Sequence, residues 1–232
     1  MRKQRLPEGL FGITGEDFSR GRTVDEVVNA MIKGGIRVIQ YREKDRGVRV
    51  KLEECRRIRA LSQEHGVLFI VNDHVDLAML VDADGVHVGQ DDLPVAEVRA
   101  LVGEEMMIGV STHSLSQARR AMADGADYIG VGPIYATRTK NDGCDPVGLA
   151  YLDNVVREIP LPFVAIGGIK VHNIEQVVRH GAKTVALVTE ILGAEDIRAT
   201  VSELTAILKT QGNTQRPKAN YFTAAAEGGG TK

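Results

Sequence analysis

Three short stretches of this chain gather residues that handle phosphates and cations. Gln40-Tyr41-Arg42-Glu43-Lys44 places an amide and two cations at alternating positions. On an extended strand Gln40, Arg42 and Lys44 share one face. Turned toward an interior, such cations need an anion to meet, and an Arg beside a Lys suits a phosphate or diphosphate. Asn72-Asp73 and Gln90-Asp91-Asp92 supply carboxylates. Mg2+ takes a few carboxylates together with phosphate oxygens and water, so Asp73 with Asp92, or with Asp91, forms a candidate metal pair. A metal–diphosphate site needs both signs of charge, and these stretches provide both. Each has a plainer alternative. The run 40–45 also fits a solvated strand end, and Asp91 or Asp92 also fits the cap of a helix beginning at Pro94.

The remaining strand ends offer further groups that could meet a phosphate. Ser111, at the end of an apolar run, offers a hydroxyl to a phosphate, while Ser114 suits a helix cap. Thr137, Thr139 and Lys140 add two hydroxyls and a cation in the longest connection of the chain. That connection has the composition of a mobile lid, or simply of an exposed polar loop. Gly167-Gly168 lets backbone N–H groups approach a phosphate closely, although a tight turn alone explains the pair. Val188-Thr189 follows at the next strand end. His87 and His113 carry little weight as bases. Two separable anion sites emerge, one of Arg42, Lys44, Asp73, Asp92 and a metal, the other of Gly168, Val188 and Thr189, and a reaction joining two phosphorylated molecules would need both.

The elements that must position these residues alternate along the chain. Strand-like runs fall at 9–14, 38–43, 68–73, 85–89, 107–112, 128–134, 163–168 and 184–191. Helical runs fall at 23–35, 50–65, 75–83, 94–102, 114–124, 147–158, 173–180 and 194–211. Thr23 with Glu26 makes a capping box, and Gly34-Gly35 can end that helix. The strands are short and apolar on both faces, as parallel strands covered by helices are. Eight strand-then-helix units predict a single-domain (β/α)8 barrel over residues 1–211, with a doubly wound open sheet as the rival. Catalytic groups of such barrels stand at the C-terminal strand ends, where every candidate above falls. From residue 212 the pattern stops, and 212–232 reads as a flexible tail.

Composition removes several function classes. The chain has 232 residues with 29 Lys and Arg against 31 Asp and Glu, a net charge of −2, so nothing suggests a general polyanion or nucleic-acid binder, while a local basic site stays open. The two cysteines, Cys55 and Cys144, make neither a disulfide framework nor a metal spacing. No apolar run reaches membrane-spanning length, and no signal-peptide h-region follows the basic N-terminus. A soluble cytoplasmic protein is expected, with monomer and homo-oligomer both open.

The runs QYREK (40–44), VND (71–73), HVGQDD (87–92), GVSTHS (109–114), GPIYATRTK (132–140) and AIGGI (165–169) occur in this order. Together they resemble thiamine-phosphate synthase over roughly residues 10–200. The resemblance implies a (β/α)8 transferase of thiamine biosynthesis. It joins hydroxymethylpyrimidine diphosphate to thiazole phosphate and releases diphosphate. Gln40, Tyr41, Arg42, Glu43, Lys44, Asn72, Ser111 and Lys140 would hold the pyrimidine diphosphate. Of these, Arg42, Lys44, Ser111 and Lys140 would be catalytic. Asp73 and Asp92 would bind one Mg2+. Thr137, Arg138, Thr139, Gly168, Val188 and Thr189 would hold the thiazole phosphate, with Thr189 standing where the family more often has Ser. The implied mechanism is dissociative, through a pyrimidine methyl cation, and needs no protein nucleophile. Two rivals are a related barrel that isomerises the thiazole phosphate and a non-catalytic binder of thiamine precursors. The first needs no metal pair, and the second leaves the charge constellation unexplained.

Overall fold

A computed structural model describes residues 5–137, 139 and 145–214. Eight parallel strands close into a barrel in chain order: β1 (Gly9–Ile13), β2 (Val38–Tyr41), β3 (Leu68–Asn72), β4 (Gly85–Val88), β5 (Met107–Thr112), β6 (Tyr128–Val131), β7 (Phe163–Ile166) and β8 (Thr184–Ala186). β8 pairs with β1 through Gly9–Thr184, Leu10–Val185 and Phe11–Ala186. The helices on the outside are α1 (Val24–Gly34), α2 (Val48–His65), α3 (Val75–Leu80), α4 (Val95–Val102), α5 (Leu115–Ala123), α6 (Gly148–Glu158), α7 (Ile174–Arg179), α8 (Val188–Leu192) and α9 (Ile197–Thr214). A 3-10 turn (Glu16–Phe18) follows β1.

Local sequence sets these boundaries. Thr23 Oγ1 accepts from Glu26 N at 3.3 Å, and Glu26 Oε2 accepts from Thr23 N at 2.8 Å, the capping box expected at the start of α1. Gly35, at φ 99°, closes α1 in the left-handed conformation that glycine adopts without strain. Ser114 caps α5 by accepting from Gln117 N at 3.3 Å. α9 ends at Thr214, three residues beyond the expected 211, and the rest of the anticipated tail, 215–232, lies outside the described residues. None of the described helices is long and apolar enough to cross a membrane.

Several strand ends need correction: β6 stops at Val131 rather than 134 and β7 at Ile166 rather than 168, and two further runs differ. The run 184–191 is not one strand: β8 stops at Ala186 and Val188–Leu192 forms α8. A short apolar run bounded by turns fits strand or buried helix equally. Here Ile191 and Leu192 are buried, as a short helix under α9 requires. β2 likewise stops at Tyr41 rather than residue 43, because the Arg42 amide donates to Thr14 Oγ1 at 2.9 Å and leaves the ladder.

The strand alternation separates two cores. Outward residues such as Ile39, Phe69, Val86, Ile108 and Ile129 pack under the helices. Inward residues Phe11, Val38, Leu68, Ile70, Met107, Tyr128 and Val164 fill the lower barrel. Above that apolar plug the inward positions turn polar: Gln40, Asn72, His87 and Ser111 stand near the C-terminal strand ends and line one cavity. The fold therefore delivers a dry floor under a polar rim.

Candidate active site

The cavity at the barrel mouth is lined from nearly every strand end. Gln40 and Arg42 come from β2 and its loop, Asn72 from β3, and Ser111 from β5. Thr137 and Thr139 follow β6, Gly168 follows β7, and Val188 and Thr189 open α8.

At the rim, the carboxyls of Asp73 and Asp92 are in hydrogen-bonding contact, with Lys44 and Arg42 close enough to act on Asp73. Burial pushes the Asp73 carboxyl up first, and Asp92 beside it adds to that rise, against the pull of Lys44 and Arg42. Asp73 holds a left-handed backbone at φ 62°, a conformation in which Asp is enriched among non-glycine residues, and its amide donates to the His87 carbonyl at 2.8 Å. Asp92 Oδ2 accepts from Gly89 N at 2.6 Å. Asp92 is therefore not the cap of α4, whose N-cap is Pro94 without a side-chain bond. Among the described residues, neither Arg42 nor Lys44 closes a salt bridge with a carboxylate.

Two neighbouring acids in contact need a shared proton or a cation between them. The donor set therefore fits a hard cation that takes its remaining ligands from phosphate and water. Among the described residues no group of three or more His, Cys, Asp or Glu stands ready to hold a metal. Asp73 and Asp92 are a pair that a substrate's oxygens would complete.

The contiguous run 40–44 splits between two faces. Tyr41 is 1% exposed and points outward, where its hydroxyl donates to Glu54 Oε2 of α2 at 2.6 Å. Glu43 is buried beside β1, and its Oε2 accepts from the Glu16 amide at 2.8 Å. Neither side chain lines the mouth: Tyr41 is on the outward face of β2, opposite Gln40, and Glu43, just beyond the strand, turns toward Glu16. They belong to the support of the loop. Arg46 bridges Glu54 Oε1 at 3.1 Å and Glu16 Oε1 at 2.7 Å, while buried Lys51 donates to the Lys44 carbonyl at 3.3 Å and to His74 Nε2 at 3.0 Å.

On the opposite side of the mouth, Thr137 and Thr139 hydroxyls lie 3.0 Å apart. Gly167 and Gly168 have φ of 98° and 63°, and a Cβ on Gly168 would fall 2.6 Å from the Ala136 carbonyl oxygen. Close approach of two loops thus requires glycine there, whatever else binds. Lys170, which sequence reasoning missed, donates to Thr189 Oγ1 at 2.8 Å and pairs with Glu190 Oε2 at 3.0 Å. Burial alone would raise the Glu190 carboxyl, yet Lys170 and the Val171 amide hold it below its ordinary value. Sequence could have offered Lys170 only as one more loop cation. Arg138 and Lys140 lie outside the described residues, as does the 141–144 part of the anticipated lid.

Cys55 is on the buried face of α2, and burial pushes its thiol up to about 12, so it offers no nucleophile to the mouth.

A closed parallel barrel with anion-handling groups on two sides of its C-terminal mouth defines a (β/α)8 protein built for phosphorylated ligands. Residues 10–191 match the family model described as thiamine monophosphate synthase. The thiamine-phosphate synthase of Pelotomaculum thermopropionicum is 64% identical over 203 residues, covering 88% of this chain and 93% of that protein. That of Lawsonia intracellularis is 55% identical over 199 residues, covering 86% and 92%. Among solved structures, the thiamine phosphate pyrophosphorylase of Pyrococcus furiosus superposes with a TM-score of 0.82 at 34% identity, covering 88% of this chain and 96% of its own. The chain belongs to the thiamine monophosphate synthase family.

Proposed function

We infer that this mouth joins hydroxymethylpyrimidine diphosphate to thiazole phosphate, giving thiamine phosphate and diphosphate. Family membership supports the overall reaction. The observation that carries the residue roles is the convergence of Arg42 and Lys44 on the Asp73–Asp92 carboxyl pair, above an apolar barrel floor.

The diphosphate of the pyrimidine substrate meets Arg42 and Lys44, with Lys140 assigned to the same group by resemblance. Gln40 and Asn72 supply amides from adjacent strands, and Ser111 supplies a hydroxyl. Asp73 and Asp92 would hold one Mg2+, which would offset charge on the leaving diphosphate. The bond between the methylene carbon and the diphosphate oxygen breaks first, and its electron pair leaves with diphosphate. Arg42, Lys44 and Ser111 act where that negative charge grows, so they favour the transition state over the bound substrate. The thiazole nitrogen lone pair then forms the new carbon–nitrogen bond. Thr137, Thr139, Gly168, Val188 and Thr189, with Arg138 by resemblance, hold the thiazole phosphate and fix that nitrogen against the carbon. The buried apolar floor excludes water, the competing nucleophile.

Purified protein given both substrates and Mg2+ tests the reading. Thiamine phosphate and diphosphate should appear in equal amounts, and neither should form when one substrate is withheld. Diphosphate release without condensation, or isomerised thiazole phosphate as the product, would overturn it. Lys140→Ala should lower turnover more than thiazole phosphate affinity, and unchanged turnover would remove Lys140 from the mechanism.

A further inference from the structure

Below the charged rim, His87 on β4, Ser111 on β5 and Tyr128 on β6 form a buried chain of hydrogen bonds. His87 Nδ1 lies 3.0 Å from the Tyr128 hydroxyl, and His87 Nε2 lies 3.0 Å from Ser111 Oγ. Strand register makes this possible. His87 pairs laterally with Gly109, and Gly109 pairs with Tyr128. Gly109 has no side chain, so the phenol crosses above it to reach the imidazole. A Cβ at Gly109 would fall 2.1 Å from Tyr128 Cζ and 2.4 Å from its hydroxyl oxygen. Ser111 is two residues further along β5, on the same inward face and nearer the mouth.

The direction of the protons follows from burial. In a neutral imidazole one ring nitrogen donates and the other accepts, and the partner of one fixes the other. Tyr128 is 0% exposed, and His87 Nδ1 is the hydrogen-bond partner of its hydroxyl among the described residues. Burial pushes the phenol pKa up, so the group keeps its proton. A buried O–H left without an acceptor is costly, so Tyr128 donates to Nδ1. The ring proton then stands on Nε2 and is donated to Ser111 Oγ. The Ser111 hydroxyl proton is left to point into the cavity that His87, Ser111 and Tyr128 all line.

We propose that Tyr128 and His87 are positioning residues that aim the Ser111 hydroxyl proton at an oxygen of the departing diphosphate. The opposite tautomer would draw that proton onto Nε2 and turn a serine lone pair toward the growing negative charge. The proposal rests on the assignment of Ser111 to the pyrimidine diphosphate.

Tyr128→Phe keeps the ring that fills the barrel and removes only the phenolic donor. It should lower kcat about five- to tenfold, the scale of one misdirected hydrogen bond, and leave KM for thiazole phosphate unchanged. In a Ser111→Ala background the same substitution should change kcat by less than about twofold, because the path ends at the missing hydroxyl. His87→Gln, whose amide N–H stands in for Nε2–H, should retain more activity than His87→Leu. Equal losses from Tyr128→Phe in both backgrounds would show a merely structural role, and no loss in either would end the proposal. Nitrogen-15 NMR of the His87 ring reads the relay without substrate or turnover. A protonated Nε2 with a bare Nδ1 is expected, and a protonated Nδ1 would overturn the proposal. The expected tautomer together with a fully active Ser111→Ala variant would instead unseat the assignment of Ser111, and the aiming role with it.

Discussion

Tyr41→Phe separates a residue of the site from a residue of its support. The removed hydroxyl donates to Glu54 Oε2 at 2.6 Å in a buried setting, a bond to a carboxylate that Arg46 also holds at 3.1 Å. A hydrogen bond to a charged partner contributes about 1.5–3 kcal/mol. Because Glu54 keeps Arg46, its carboxylate is not orphaned, and about 2 kcal/mol is the expected loss. For a barrel of this size that lowers Tm by roughly 4–8 °C. The ring stays in place, and the hydroxyl faces away from the cavity, so kcat and both KM values should stay within about twofold at room temperature. Thermal and urea unfolding read the first effect, and steady-state kinetics the second. An unmoved Tm together with a KM for the pyrimidine diphosphate raised about tenfold or more would place Tyr41 in the site and refute this reasoning.

Gly109→Ala should destabilise strongly. The added methyl overlaps the Tyr128 ring at 2.1 Å, and Tyr128 is packed against Phe11 with ring centroids 6.2 Å apart. Overpacking costs about 1–3 kcal/mol, and the strained phenol–imidazole bond adds to it, so chemical unfolding should show a clear loss; wild-type stability would mean that the ring has room to move. Asp73→Asn should abolish turnover yet raise the Tm of metal-free protein at neutral pH. Burial and Asp92 hold the Asp73 carboxyl above its ordinary value, so the penalty of ionising it is complete above the folded-state pKa and absent below the unfolded-state one. The gain should therefore shrink in acid. A neutral-pH Tm at or below wild type would contradict that account of the pair.

Much of the barrel is legible in the sequence because each strand and helix carries its own signal. Alternating apolar runs, the Thr23–Glu26 cap and the terminating glycines are all local. The same period-two logic places Gln40 and Arg42 on the inward face. Of Tyr41 and Glu43, included by resemblance to a contiguous motif, Tyr41 falls on the other face for the same reason, and Glu43, just beyond the strand, turns toward Glu16. The end of β8 was illegible because 184–191 is apolar throughout, and only packing under α9 decides where strand becomes helix. In sequence Asp92 fits a helix cap as well as a ligand, and its bond to Gly89 N removes only the cap. The His87–Tyr128 contact and the Lys170–Thr189 bond join different strands or loops. They depend on register and barrel closure, which no local pattern encodes.

Opposite charges at the rim would capture diphosphate through a divalent ion. Calorimetric titration of the protein with inorganic diphosphate, in Mg2+ and then in excess chelator, tests it most directly. Tight binding should appear with Mg2+, collapse in chelator, and fail in both conditions for Asp73→Asn and Asp92→Asn. Equal affinity in Mg2+ and in chelator, unchanged by either substitution, would contradict the account.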